Sequence, residues 1–259
     1  MDEYLKKKKI AKIKIVVIQL IIVSMFIVIW ELFAKTKLID SFLFSSPSKI
    51  FKTFSLYLAN GELFRHIGVS LLETFIGLFL GTLIGFIIAI VLWYFPFVEK
   101  VLSPFLVVFN ALPKTALAPV VIIWVGTNIK GIIVVAVTIF VIMTIISFLT
   151  GFKQVEEDKI KMLQSFNASR FQVLVKLIIP ANVVNILSVI KINIGLAWVG
   201  VIVGEFLVSK AGIGYLIMYG TQVFKMDVVM MGVVTLAILS FLMYGIFCIF
   251  EKKLARKRG

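Results

Sequence analysis

The segment KQVEEDKIKMLQSFNASRFQVLVKLIIP, residues 153–180, is the polar stretch that decides how this chain is organised. It separates two apolar runs, Gly131–Phe152 and Asn182–Leu207, and it is longer and more charged than a turn requires. Within it, Glu156–Lys176 can form a helix, and Pro180 would reset the chain before the next run. Four residues are available for one apolar face of that helix: Ile160, Leu163, Phe166 and Phe171. From periodicity alone, such a helix can lie on lipid or dock on a partner protein.

The composition indicates a membrane protein. Hydrophobic residues make up 61% of the 259 residues, charged residues make up 15%, and the mean hydropathy is +1.11. Ordinary soluble domains are roughly half apolar. Here the apolar residues also come in runs of about twenty, the length that crosses a hydrocarbon core as a helix. The composition excludes a soluble enzyme, and one membrane domain is the simplest interpretation.

Each long apolar run is predicted to be helical, because an unpaired peptide group is costly in hydrocarbon. Four runs carry at most one charge, and two are interrupted by prolines or charges. The uninterrupted runs are Ile15–Phe33, Thr74–Phe97, Gly131–Phe152 and Val228–Phe250, and the interrupted ones are Val101–Val125 and Asn182–Leu207. We therefore predict an all-α polytopic membrane protein with six transmembrane helices.

Basic residues cluster at both ends of the chain, with six lysines between Lys6 and Lys14 and five basic residues between Lys252 and Arg258. Much of the net charge of +14 therefore lies next to membrane spans. Basic residues at such positions keep the ends of the chain in the cytoplasm and attract anionic lipid headgroups. We expect no nucleic-acid partner. Both termini are predicted to be cytoplasmic, which six crossings satisfy. The predicted divisions are a basic N-terminus (1–14), a first transmembrane helix (15–34), an outward loop (35–67), a transmembrane core of five helices (68–250) and a basic C-terminus (251–259).

The predicted outward loop 35–67 contains an amphipathic segment. Ser45-Ser46-Pro47-Ser48 is typical of a helix start with a capping serine, and Lys49–Leu58 would follow as a short helix at the membrane interface. In the second span, Gly77, Gly81 and Gly85 recur every four residues. They place three small surfaces on one helix face, which predicts close packing against another helix.

The interrupted spans are predicted to face a translocation path. Proline inside a span frees backbone carbonyls, and an ionisable side chain at membrane depth is tolerated mainly where it faces protein or water. The glycine-rich loop Ala211–Gly220 is predicted to be mobile or tightly turned near an outer gate. The candidate path and gate residues are Pro113, Lys114, Pro119, Lys191, Glu205, Gly212 and Gly214. Lys191 and Glu205 could each instead pair with a neighbouring helix.

The polar segment resembles a loop found in the membrane subunits of binding-protein-dependent ABC importers with the type I fold. That family carries E-A-A, three residues, G, nine residues and I-x-L-P in its cytoplasmic loop, often with A-S-R after the glycine. Asn167-Ala168-Ser169-Arg170 is followed here by Leu177-Ile178-Ile179-Pro180, with nine residues between Asn167 and Leu177. Lys161-Met162-Leu163 stands where E-A-A is expected, and Asn167 stands in place of the glycine. Asn tolerates a left-handed backbone better than most residues, so it can keep a sharp turn.

Other stretches resemble the subfamily that imports nitrate, taurine, alkanesulfonates or thiamine precursors. Its L-P-x-x-A-L-x-P and W-F-G elements are similar to residues 112–119 and 124–126. Its F-P-S-P-S element is similar to residues 45–48. Its A-W-x-G, A-E and G-L-G-Y elements are similar to residues 197–200, 204–205 and 212–215. The resemblance extends over about residues 40 to 250.

The resemblance implies a permease subunit without catalysis of its own. The residues it implies for coupling to an ATPase are Lys161, Asn167, Ala168, Ser169, Arg170 and Pro180, with Arg170 making an ionic contact. No phosphate-binding loop G-x-x-x-x-G-K-[ST] occurs in the chain, so ATP and Mg are expected on a partner ATPase subunit and no cofactor on this chain. The further expected partners are an extracytoplasmic solute-binding protein, a second copy of the chain or a sister permease, and membrane lipid.

The implied location is the bacterial cytoplasmic (inner) membrane, with multiple crossings, and the implied solute is small and anionic or zwitterionic. The alternative function is a self-sufficient channel or secondary carrier, which the charges inside the spans would also suit. The chain has one histidine, His66, in the predicted outward loop, and one cysteine, Cys248, inside an apolar run. We predict neither a metal site nor catalytic residues.

Overall fold

The computed structural model describes residues 2–256 of the chain. Within that range all regular structure is helical, and no strand occurs. The helices are α1 (Asp2–Lys35), α2 (Ser41–Phe44), α3 (Pro47–Ala59), α4 (Glu62–Tyr94), α5 (Pro96–Ala111), α6 (Lys114–Val125), α7 (Ile129–Lys153), α8 (Glu157–Ser165), α9 (Arg170–Val173), α10 (Ile179–Ala181), α11 (Val183–Val208), α12 (Ile213–Gln222) and α13 (Met226–Arg256). A π-helical turn, Leu174–Ile178, joins α9 to α10.

Five helices in the described part of the chain are long and apolar enough to cross a membrane: α1, α4, α7, α11 and α13. The pair formed by α5 and α6 passes the same test together, but it bends by 99° at the break between them. Leu112 is extended at that break (ψ 140°), because a residue before proline is disfavoured in the helical region. The predicted all-α membrane architecture is confirmed, and the interrupted span Val101–Val125 is this bent pair.

The chain divides into two compact units. The first runs to Leu63 and includes Ile217–Val233. In it the predicted amphipathic segment is confirmed as α3, which begins at Pro47 behind the N-cap Ser46, whose hydroxyl accepts a hydrogen bond from the Lys49 N–H. The Ser48 N–H donates to the Glu31 carboxylate of α1 at 3.0 Å. No residue in the apolar window of α1 is buried, and most of its apolar side chains are exposed.

The second unit comprises Phe64–Leu216 and continues from Val234. Its centre is formed by α4, α7 and α11, which approach closely at small residues. A Cβ atom at Gly85 would lie 2.6 Å from Cγ2 of Thr144, and a Cβ at Gly77 would lie 3.4 Å from the Ala136 Cβ. The predicted packing role of the glycine face in the second span is therefore confirmed. A Cβ on Gly200 of α11 would lie 2.5 Å from the Ala136 Cα, so small residues also set the contact of α11 with α7.

A polar bridge links the same three helices inside the second unit. The Thr144 hydroxyl donates to the Asn193 side-chain oxygen at 3.0 Å, and the Asn193 amide donates to the Thr82 hydroxyl at 3.0 Å. Below it, Phe148 and Phe152 of α7 are fully buried and pack edge-on against Phe86 of α4. These contacts fix α4, α7 and α11 as a rigid scaffold for the segments at their ends.

The two ends of this scaffold carry different groups. Tyr94, the last residue of α4, and Lys153, the last of α7, lie at one end with residues 154–182, as an Arg170–Tyr94 hydrogen bond shows. We call this the coupling end. At the opposite end, His66 near the start of α4 contacts Gly212, which follows α11. The placement of the coupling end in the cytoplasm stays a prediction from the basic termini.

Candidate functional site

The segment between α7 and α11, which we call the coupling segment (residues 154–182), consists of α8, a sharp turn, and then α9, the π-helical turn and α10. α8 ends at Ser165, and Asn167 adopts φ +58°, in the left-handed region. α9 then begins behind Ser169, whose side chain forms a capping box with Gln172. The predicted single helix Glu156–Lys176 is therefore wrong, because the turn at Asn167 interrupts it. The left-handed turn predicted for Asn167 is confirmed.

The turn separates the four apolar residues that were expected on one helix face. Ile160 and Leu163 of α8 pack against the core of the second unit. Phe166 and Phe171, which flank the turn, are 77% and 63% exposed, and Met162 is also exposed. Exposed apolar patches bordered by polar residues mark contacts with another protein or with a membrane. We call Met162, Phe166 and Phe171 the exposed apolar patch of the coupling segment.

The other residues predicted for coupling lie around the same turn. Ala168 is half-buried and packs against the core, and Ser169 caps α9. Lys161, at the position of the missing family glutamate, is exposed and pairs with Glu157 at 3.4 Å. The Arg170 guanidinium donates from Nη1 to the Tyr94 carbonyl oxygen at 2.7 Å. Arg170 thus contacts α4. Its guanidinium has further N–H donors, and the ionic contact that these were expected to make with an ATPase stays a prediction.

Pro180 lies in α10, directly after the π-helical turn Leu174–Ile178. Proline has no N–H to donate to the preceding turn, and π-helical turns inside helices frequently mark functional sites. Asn182 then ends α10, and its side-chain amide donates to the Ile178 carbonyl oxygen at 2.9 Å. The predicted reset of the chain at Pro180 is observed as this irregular stretch ahead of α11.

The predicted path residues Pro113, Lys114 and Pro119 lie at the bend between α5 and α6. Pro113 precedes the first residue of α6, and Pro119 lies within that helix. The Lys114 ammonium donates to the Asn110 carbonyl oxygen at 3.0 Å and to its side-chain oxygen at 3.2 Å. The bend therefore holds a half-buried positive charge between two prolines. Its exposure to a transported solute stays a prediction.

Glu205 lies at the opposite end of the scaffold, where it holds the start of α12. Its side chain is 1% exposed. One carboxylate oxygen accepts the Ser70 hydroxyl at 2.5 Å, and the other accepts the Gly214 N–H at 2.6 Å. Ser70 in turn accepts the Ile213 N–H at 2.8 Å. A carboxylate at a helix N-terminus is favourable because the free N–H groups there carry partial positive charge.

His66 completes this arrangement, since its Nδ1 accepts the Gly212 N–H at 2.9 Å and its ring stacks on Tyr215. Three consecutive backbone N–H groups, those of residues 212–214, thus bond to side chains of α4 and α11. We call this arrangement the carboxylate clasp; it consists of His66, Ser70, Glu205 and residues 212–214. The loop Ala211–Gly220 was predicted to be mobile or tightly turned, and it is tightly turned at Gly212 and helical from Ile213.

The glycines of the loop are required by the close approach of Glu205. Gly212 has φ +120°, and a Cβ there would overlap the Glu205 carboxylate. A Cβ on Gly214 would lie 2.8 Å from the Glu205 Cβ. Glu73 of α4 lies within hydrogen-bonding reach of Glu205 and is 2% exposed. The structure thus brings Glu205, Gly212 and Gly214 together, and the enclosure of Glu205 favours an anchoring role over direct contact with a solute.

Lys191, the remaining predicted path residue, lies apart from the clasp. Its ammonium donates to both carboxylate oxygens of Glu251 on α13, each at 2.9 Å. The expectation that Lys191 and Glu205 share one path has no support in these contacts, because the first pairs with α13 and the second is enclosed. Among the described residues, no three His, Cys, Asp or Glu side chains are grouped so that they could hold a metal ion.

Sequence reasoning missed the roles of His66, Ser70 and Glu73. His66 and Ser70 act through contacts more than 130 positions away in the chain, and no local pattern signals such a contact. One sign was available for α4: His66, Ser70 and Glu73 follow at spacings of four and three residues, which places them on one helix face.

Comparison with known proteins places this geometry in a family. The model of the family "Binding-protein-dependent transport system inner membrane component" matches residues 81–256. The putative aliphatic sulfonates transport permease protein SsuC of Bacillus subtilis (strain 168) is 28% identical over 234 residues, which cover 90% of this chain and 84% of that protein. The taurine transport system permease protein TauC of Escherichia coli (strain K12) is 27% identical over 224 residues, covering 84% and 81%.

A solved structure of the MetNI methionine ABC transporter in an inward-facing conformation is similar in fold. The TM-score is 0.63 at 17% sequence identity, and the match covers 77% of this chain and 97% of that chain. The type I ABC importer fold predicted from the sequence is confirmed by this likeness. Because the family model matches residues 81–256, which are more than half of the chain and include the coupling segment, the chain belongs to the family of binding-protein-dependent transport system inner membrane components.

Proposed function

We propose that this chain docks a cytoplasmic ATPase subunit through the exposed apolar patch of the coupling segment and forms the path for a small anionic solute. As a member of its family, the chain is an ABC importer permease; it is a transport subunit and not an enzyme, and ATP is hydrolysed by a separate subunit. The observation that carries the docking proposal is the exposure of Phe166 and Phe171 on either side of the Asn167 turn.

The side chains of the exposed apolar patch are more stable in an apolar groove of a partner protein than in water. Met162, Phe166 and Phe171 leave large apolar surfaces exposed among polar and charged residues on either side of the Asn167 turn. Aromatic side chains that enter a pocket of the partner contribute most to such interfaces. Charged residues Glu157, Lys161 and Arg170 border the patch and form the polar rim. ATP and Mg would be bound by the partner.

Two separate observations support the proposed solute: the names of the relatives and the position of Lys114. The relatives described above are named for the transport of aliphatic sulfonates and of taurine, which carry a sulfonate anion. The bend between α5 and α6 holds Lys114, whose ammonium lies between two prolines and is half-buried. A cation at this depth attracts an anion and repels cations. We therefore propose a sulfonate or a similarly small anionic or zwitterionic solute.

The remaining partners follow from the family. Its description implies an ATPase and a solute-binding protein, and we propose that two copies of this chain complete the path in a bacterial cytoplasmic membrane. α1 exposes most of its apolar side chains within its own unit, and this surface would face lipid or a second copy.

The test is reconstitution. The tagged chain is purified with its ATPase subunit, incorporated into proteoliposomes and supplied with its solute-binding protein, and uptake of labelled taurine and of labelled ethanesulfonate is measured with and without ATP. We expect uptake of at least one sulfonate that requires ATP. A labelled cation of similar size, choline, serves as the control and should not enter.

Two outcomes would contradict the proposal. Uptake by the chain alone without ATP would instead establish a self-sufficient channel or carrier. ATP-dependent uptake of choline in preference to both sulfonates would be consistent with an ATP-driven permease, but it would contradict the proposal that the solute is anionic.

A further inference from the structure

A cleft of about 360 Å³ opens at the coupling end, between the coupling segment and the end of α4. Its polar lining consists of Trp93 from the last turn of α4, Glu157, Lys161 and Gln164 from α8, and Arg170 from the start of α9. Two cations, one anion and two neutral side chains with N–H groups therefore share one cleft. The cleft carries more positive than negative charge, which favours an anionic ligand.

The α8 residues of the cleft lie on one face of that helix. Glu157, Lys161 and Gln164 follow at spacings of four and three residues, which brings their side chains together. At about 100° per residue, Met162 lies about 100° or more around the helix from each of them. A ligand in the cleft would therefore leave the exposed apolar patch uncovered.

Arg170 supplies the donors that best suit a phosphate. Its Nη1 donates to the Tyr94 carbonyl oxygen at 2.7 Å, which holds the guanidinium beside the end of α4. A guanidinium has five N–H donors, so others remain for a ligand. They are arranged in a planar fork that can bind two phosphate oxygens at once. Arg170 is therefore already oriented at the edge of the cleft before any ligand binds.

Lys161 is available as a second cation. It pairs with Glu157 at 3.4 Å, and the two side chains are 66% and 84% exposed. Exposed ion pairs of this kind contribute little to stability, because water solvates both partners well. Lys161 can therefore exchange the Glu157 carboxylate for a phosphate oxygen at little cost.

The cleft lies where a membrane surface is expected. Trp93 and Tyr94 end α4, which is long and apolar enough to cross a membrane. Tryptophan and tyrosine are enriched at the depth of the lipid headgroups. Phe95 and Phe97 flank Pro96 of the cleft lining, and both are more than half exposed. These rings suit lipid acyl chains, and a free phosphate ion would make no use of them.

We propose that this cleft binds the phosphate headgroup of an anionic phospholipid. Arg170, Lys161 and Gln164 donate to the phosphate oxygens, and the acyl chains lie against Phe95 and Phe97. Basic pockets at the cytoplasmic side of transmembrane helices bind such headgroups. The bound lipid fills the gap between α8 and the end of α4. The site does not depend on the proposed docking of the ATPase, because it uses another face of α8.

The test measures lipid binding to the purified full-length chain. The chain is stripped of lipid in detergent and titrated with dioleoyl phosphatidylglycerol, and bound lipid is counted by native mass spectrometry. Two comparison ligands separate the sources of the phosphate. Inorganic phosphate lacks acyl chains, and dioleoyl phosphatidylcholine has the same chains but no net charge. We expect saturable binding of phosphatidylglycerol, which neither comparison ligand displaces at equal concentration.

Lys161→Gln and Arg170→Gln should each weaken the binding of phosphatidylglycerol roughly fivefold. Glu157→Gln removes the anion of the cleft and releases Lys161, so it should strengthen binding, a result that misfolding does not produce. The matched control is Lys159→Gln. It makes the same charge change on α8 and breaks a similar exposed pair, 3.0 Å from Glu156, but it lies outside the cleft lining. That variant should bind the lipid as the unmodified chain does, and Tm values verify that each variant is folded.

Unchanged affinity in both Lys161→Gln and Arg170→Gln would overturn the site, and so would a loss in Lys159→Gln as large as that in Lys161→Gln. Displacement by inorganic phosphate would contradict the assignment to a lipid. Equal binding of phosphatidylcholine would contradict the assignment to an anionic headgroup. Release of the lipid when the ATPase subunit is added would also count against the proposal, because it would assign the cleft to the protein interface.

Discussion

Glu205 accepts a hydrogen bond from the Gly214 N–H at 2.6 Å, while its other carboxylate oxygen accepts the Ser70 hydroxyl at 2.5 Å. One enclosed carboxylate thus joins α11, α4 and the start of α12. The Gly214 N–H has no acceptor inside α12, since the first N–H groups of a helix are free. The loop that follows α11 is held in one conformation by this clasp.

The clasp predicts the effect of removing its carboxylate. Glu205→Ala leaves the Gly214 N–H and the Ser70 hydroxyl without their acceptor, and each buried unsatisfied group costs about 1–3 kcal/mol. We expect a lower Tm for the purified chain in detergent, measured by thermal denaturation. Glu205→Gln keeps an acceptor oxygen and should lose less. Equal Tm values for Glu205→Ala and the unmodified chain would show that the clasp does not hold the fold.

The glycine beside Glu205 provides a second prediction. Gly212→Ala adds a Cβ at φ +120°, where L side chains are strained by about 1–3 kcal/mol, and the Cβ also meets the Glu205 carboxylate. We expect poor yield of folded protein and a reduced Tm. Gly195→Ala is the matched control, because a Cβ there meets nothing within 4 Å. That variant lies inside α11 and should gain up to about 1 kcal/mol from helix propensity. A Gly212→Ala variant as stable as Gly195→Ala would contradict the prediction.

The turn of the coupling segment depends on the backbone of Asn167. Asn167→Val places a β-branched residue at φ +58°, which is disfavoured, and should open the turn and move Phe166 away from Phe171. Asn167→Gly restores the family residue and allows the same φ. We expect Asn167→Val to lose copurification of the ATPase subunit and Asn167→Gly to keep it. Equal recovery of the ATPase with both variants would mean that the turn does not shape the docking surface.

Lys114 at the α5–α6 bend is predicted to act on the solute and not on the ATPase. Lys114→Ala removes a half-buried positive charge, so uptake of an anionic sulfonate should fall while the ATPase subunit still copurifies. The control is Lys130→Ala, which removes an exposed charge in the first turn of α7. Uptake kinetics that are unchanged in Lys114→Ala would exclude this lysine from the path.

Features that depend on local chemistry could be predicted from the sequence. The six apolar runs, the N-cap Ser46 of α3 and the left-handed Asn167 each follow from residue type and spacing along a short stretch of chain. The interruption of the span Val101–Val125 was predicted for the same reason, although the position of the break within it was not. The 99° angle between α5 and α6 was not predicted, because the angle between two helices depends on their contacts with distant parts of the chain.

Features that depend on distant contacts could not be predicted. Glu205 was assigned to a path because it is charged and lies in a span, but its hydroxyl and N–H partners come from α4 and from the loop after α11. Helical periodicity placed Ile160 and Phe166 on one face, whereas the turn at Asn167 sends the first to the core and leaves the second exposed. Arg170 was expected to reach a partner, and its contact with Tyr94 depends on where α4 ends.

The most direct test of the account is ATPase binding by the exposed apolar patch. The tagged chain with Phe166→Ala and Phe171→Ala is purified in mild detergent, and the amount of ATPase subunit that copurifies is compared with that of the unmodified chain. Phe51→Ala, a change at a 71% exposed phenylalanine of α3, is the control. The account predicts that the double variant stays folded, as judged by its Tm, and loses the ATPase, while Phe51→Ala retains it. Full recovery of the ATPase with the folded double variant would contradict the assignment of the coupling segment.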